Sequence, residues 1–83
     1  MTKQKFKFDP AKRDDPDGPT NGQRAERAAG AVVYACGARG EHPDIGEDGI
    51  RDLLADLGHL CDREGLDFVK ITATATKDWR AER

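Results

Sequence analysis

From residue 44 onward, apolar side chains recur every three or four positions. Ile50, Leu53, Leu54, Leu57, Leu60 and Cys61 fall on one stripe of a helix, with charged residues around the remainder. Asp44 reads as its N-cap, Glu47 three residues on completes a capping box, and Gly65 fits the left-handed residue that ends such a helix. An earlier segment has the same period in smaller residues: Ala25, Ala28, Ala29, Val32 and Cys36 share one face. Thr20 and Gln23 have capping-box spacing before it, and Gly37 and Gly40 supply the stop. The pattern predicts helices over 21–38 and 45–64.

The last segment sets two signals against each other. Phe68 to Thr76 is rich in β-branched residues, which favours a strand. Against that, Asp67 is a good N-cap, and Leu66 and Ile71 occupy the N′ and N4 positions of a hydrophobic staple. Phe68, Ile71, Ala75 and Trp79 also share a helical face. The reading adopted is a third helix over 67–81.

Residues 1–20 are broken by Pro10, Pro16, Gly18 and Pro19 and read as a flexible N-terminal arm. Within it only Lys5-Phe6-Lys7-Phe8 alternates with strand period. The expected fold is therefore mainly α: a small three-helix domain over 21–83, packed through Ile50, Leu53, Leu57 and Leu60. The alternative is α+β, with a terminal strand from 68–76 pairing with Lys5–Phe8.

Composition limits how stable this domain is alone. Eleven of the 83 residues are Ala, so large core-forming side chains are scarce. A domain of roughly 60 residues buries only about 60% of its unfolded surface. A homodimer or another partner would supply the missing burial. Cys36 and Cys61 form no disulfide framework and no zinc-ligand spacing; both read as small core residues in a reducing compartment. No secretion signal is seen, and the longest apolar run, 28–36, is too short to cross a bilayer. A cytoplasmic protein without membrane contact is expected.

The net charge of −2 is unevenly spread, because segment 41–65 alone carries two basic and eight acidic residues. That distribution argues against a generic nucleic-acid binder, which shows a basic stripe. The acidity has a pattern: Asp48, Asp52 and Asp56 follow at i, i+4 and i+8, away from the leucines. Like charges at that spacing cost about 0.2–0.5 kcal/mol per pair. Asp48 is offset by the positive helix N-terminus, and Asp56 is not. Such a row either keeps the surface solvated or docks in a basic groove, with Glu47 and Asp62 at its rim. Tyr34 lies off the first helix's stripe and is a candidate partner contact; Trp79 reads as core.

His59 is flanked by Asp56 and Asp62 at i−3 and i+3. The group reads as a hydrogen-bonded histidine, with a weak metal site or a pH-sensitive contact as alternatives. No nucleophile–base pair or phosphate loop accompanies it, so no catalytic residue, metal or cofactor is assigned. His42, beside Pro43, is expected to be exposed.

The stretch Asp52-Leu53-Leu54-Ala55-Asp56-Leu57-Gly58-His59-Leu60-Cys61-Asp62, then Gly65-Leu66-Asp67-Phe68, with Arg24-Ala25, Ala28 and Tyr34 before it, resembles short uncharacterised proteins of bacterial phages, plasmids and integrated elements. The resemblance spans about residues 24–82. It implies a following helix that carries Ala75 and Trp79, and a mobile-element origin. It brings no activity with it, but points towards regulation or the blocking of host defence, including anti-CRISPR activity.

The functional expectation is a non-enzymatic protein acting stoichiometrically on a host protein or nucleoprotein with a basic surface. The alternative is a small dimeric DNA-binding regulator, using the arm lysines and the Arg24, Arg27 and Arg39 cluster. No helix offers it a basic base-reading face.

Overall fold

The computed structural model describes residues 18–83. They form three helices: α1 (Asn21–Ala38), α2 (Glu47–Glu64) and α3 (Phe68–Glu82). The mainly α reading holds, and the strand alternative fails over 68–76, which is helical throughout. Lys5–Phe8 and most of the 1–20 arm lie outside the described residues. The chain divides into two compact units, one ending at Ile50 and the other running from Arg51 to Arg83.

Local chemistry accounts for most helix ends. At α1 the Thr20 hydroxyl accepts from the Gln23 N–H at 3.0 Å, and the Gln23 side chain accepts from the Thr20 N–H at 2.9 Å. Thr20→Ala removes half of this reciprocal cap and should cost about 1 kcal/mol, read as a lower midpoint in thermal denaturation. The C-terminus is a Schellman turn. Gly40 adopts φ +75°, the Glu41 N–H donates to the Cys36 carbonyl at 2.9 Å, and the Gly40 N–H donates to Gly37 at 3.0 Å. The end of α2 repeats it, with Gly65 at φ +70° and the Leu66 N–H donating to the Cys61 carbonyl at 2.8 Å. Each buried cysteine thus stands one turn before a left-handed glycine.

The start of α2 differs from expectation. Asp44 does not cap the helix. Its carboxylate accepts from the Gly46 N–H at 2.8 Å, making a turn that leads into the helix. The first helical bond runs from the Ile50 N–H to the Gly46 carbonyl, so the cap falls at Gly46. Glu47 and Asp48 then lie in the first turn, where negative charge is favourable.

In the first unit, Gly30, Val32, Val33 and Cys36 of α1 are buried, together with Gly49 of α2. Ala25 and Ala28 are exposed, so the expected α1 face is shifted towards Val33. The reason is where the neighbours lie. The Cys36 thiol is 3.9 Å from the Asp44 carbonyl, and a Cβ placed on Gly49 would stand 3.3 Å from Val32 Cγ1. These contacts cover the C-terminal half of α1, where the larger side chains are.

In the second unit, α2 turns through Gly65-Leu66-Asp67 into α3. Asp67 caps α3 by accepting from the Lys70 N–H at 3.0 Å. The threonines that suggested a strand are accommodated in the helix. Thr72 Oγ1 donates to the Val69 carbonyl at 3.0 Å, and Thr76 Oγ1 donates to the Thr72 carbonyl at 2.8 Å. Satisfying the hydroxyls on the preceding turn lets β-branched residues sit in a helix. The Phe68 ring lies against Gly58, where an added Cβ would meet the ring at 3.3 Å.

Burial in this unit corrects the expected packing. Cys61 is buried, and Leu53, Gly58, Phe68 and Thr72 are half-buried. Leu54, Leu57 and Leu60 remain 40–44% exposed, and Trp79 is 54% exposed. The α2–α3 unit therefore does not enclose the expected stripe, and Trp79 is no core residue. Two helices meet along a line and shield only the residues on it; the large side chains flanking that line stay in water.

Candidate functional site

The row Asp48, Asp52 and Asp56 lies exposed along one continuous helix, α2. With 1.5 Å rise per residue, successive members are separated by about 6 Å along the axis. Asp48 and Asp56 each take part in a polar or electrostatic interaction, so the row is not a set of isolated charges. Its geometry can present a strip of negative potential to a basic surface, which favours encounter and register. Glu47 and Asp62 are also exposed on α2. Glu47 sits in the first turn. Tyr34, on α1, is 74% exposed.

His59 is exposed on α2. It lines an open groove of about 450 Å³ with Gly58, Asp62, Leu66, Asp67 and Phe68. Asp62 and Asp67 share this lining with His59, and Asp56 is not part of it. Among the described residues, no three His, Cys, Asp or Glu side chains are grouped so that they could hold a metal ion. His42 is exposed. Cys36 and Cys61 are buried free thiols.

This groove was not foreseen. Its one sequence signal is Gly58, a glycine inside a strongly helical pattern, which marks close approach of another group. Asp67 lines the groove because it caps α3, and Phe68 because it is that helix's first residue.

Arg24 Nη1 donates to Asn21 Oδ1 at 2.7 Å. Arg39 Nε donates to Glu41 Oε1 at 3.1 Å, an ion pair beside the α1 C-terminus. No described helix is long and apolar enough to cross a membrane. The chain matches no family model, no curated protein and no solved structure.

Proposed function

We propose that this is a non-catalytic binding protein that docks the acidic row of α2 on a basic surface of a host protein or nucleoprotein. The observation that carries the reading is the exposure of Asp48, Asp52 and Asp56 at four-residue spacing on one unbroken helix. A rigid helix fixes the spacing of its charges, and so can match a row of lysines or arginines without ordering a loop on binding. Glu47 and Asp62 extend the negative strip, and Tyr34 offers short-range contact. Charge complementarity of this kind speeds association and rejects wrong partners. It suits a stoichiometric inhibitor that competes with nucleic acid. The resemblance to mobile-element proteins makes an anti-defence inhibitor, such as an anti-CRISPR, the most concrete form of this reading.

The test compares the wild type with an Asp48→Asn, Asp52→Asn, Asp56→Asn triple variant in affinity capture from host extract, followed by titration of the recovered partner. The variant keeps the side-chain shapes and removes three charges. It should remain helical and bind at least about tenfold more weakly, roughly 1.4 kcal/mol. Added salt should weaken the wild type in the same way. Equal recovery of one partner by both proteins would leave the row as a solvated surface only.

A further inference from the structure

The α2–α3 hairpin is a compact unit that does not enclose its own apolar side chains. Leu54, Leu57 and Leu60 on α2 are 44%, 40% and 42% exposed, and Ile71 and Trp79 on α3 are 45% and 54% exposed. Ala75, between them on the α3 face, is exposed as well. Between Arg51 and Arg83 only Cys61 is buried. Isolated exposed leucines are ordinary; here the apolar faces of both helices are left half-covered.

We infer that a second copy of this chain covers these faces, two α2–α3 hairpins packing together as a four-helix bundle. This goes beyond the docking of the acidic row and does not depend on it. The area fits a second copy. The six side chains expose on the order of 500 Å² per chain, which at about 65% apolar content in homodimer interfaces corresponds to roughly 1,500 Å² buried in total. Stable interfaces bury about 1,200–2,000 Å².

Most of the acidic row on α2 is compatible with this contact. Around an α-helix of 3.6 residues per turn, Asp52 lies about 140° from Leu57. A contact through the leucines therefore turns Asp48 and Asp52 outward, while Asp56, one turn before Leu60, stands at its edge. On α3, Asp78 and Glu82 stand at the C-terminal end of the face that carries Ile71, Ala75 and Trp79, and the Arg83 guanidinium lies 4.6 Å from the centroid of the Trp79 ring. The spacing points the same way. Leu53, Leu57 and Leu60 follow a four-then-three repeat, the pattern that packs one helix against its equal. A two-fold contact needs such a self-complementary surface.

Sedimentation equilibrium on the full chain tests this, from low micromolar to sub-millimolar concentration. The expected mass is twice the 9.1 kDa of one chain, falling to a single chain on dilution. Trp79 is the sole tryptophan, so its emission should shift to the red over the same range. A Leu57→Glu, Leu60→Glu double variant should be monomeric at every concentration with its helical circular dichroism kept, because both positions are already exposed in one chain. Trp79→Lys on α3 gives an independent readout and should raise the dissociation constant at least tenfold. The Asp48/Asp52/Asp56→Asn triple variant should dimerise like the wild type, which separates this surface from the docking row. A wild type that stays at one chain mass throughout overturns the inference, and so does a dimer that neither variant weakens.

Discussion

Gly49→Ala is expected to destabilise the protein by about 2 kcal/mol, although alanine is the better helix former by up to about 1 kcal/mol. Gly49 is buried in the first turns of α2, and a Cβ there would overlap the Asp44 carbonyl oxygen and press on Val32 Cγ1. The carbonyl is backbone and cannot swing aside like the tip of a side chain. Moving it disturbs the Asp44–Gly46 turn and the contact with the Cys36 thiol. Overpacking of this kind costs about 1–3 kcal/mol, occasionally more, which outweighs the gain in propensity. In a domain this small the change should lower the melting temperature by roughly 10 °C. Gly37→Ala is the matched control. It also lies in a helix, but an added Cβ meets nothing within 4 Å, so the substitution should raise stability. Thermal denaturation of the two variants should therefore move in opposite directions. A Gly49→Ala protein as stable as the wild type would mean that the 41–46 connection does not pack on α2 as described.

Gly65→Val should cost about 2 kcal/mol for a different reason. Nothing crowds Gly65; an added Cβ has open space. The cost lies in the backbone, which sits at φ +70°. That left-handed region is unfavourable for side-chain-bearing residues by roughly 1–2 kcal/mol, and worst for β-branched ones. If the residue leaves this conformation, the Leu66 to Cys61 hydrogen bond is lost and Asp67 no longer stands where it caps α3. Gly65→Asn should cost clearly less, because asparagine tolerates this region. Chemical denaturation of the two variants checks the ranking. Equal losses for Asn and Val would point to crowding instead of backbone conformation.

The two substitutions show what was legible beforehand. Gly65 was readable as a helix terminator because its role is local: it follows an amphipathic run and only its own dihedral matters. The Thr20–Gln23 box and the Asp67 cap were readable for the same reason. Gly49 was not, since the group that excludes a Cβ there is a carbonyl five residues away, brought in by a turn. Asp44 shows the same limit. Its spacing to Glu47 satisfies a capping box, yet its carboxylate bonds the Gly46 N–H, two residues along, and the helix starts later.

For the candidate site, the sequence determined that Asp48, Asp52 and Asp56 form a row, because helical periodicity alone lines up residues four apart. It also determined that Tyr34 lies off the apolar stripe. Periodicity orders side chains around one helix but does not say how much of the resulting face another element covers. The tertiary structure decided that. It left Leu54, Leu57, Leu60 and Trp79 half in water, set His59 in a groove with Asp67, and buried the small Cys36 and Cys61 where larger neighbours remained exposed. Burial depends on which surfaces meet, and a hairpin of two helices has too little surface to cover what its own pattern marks as interior.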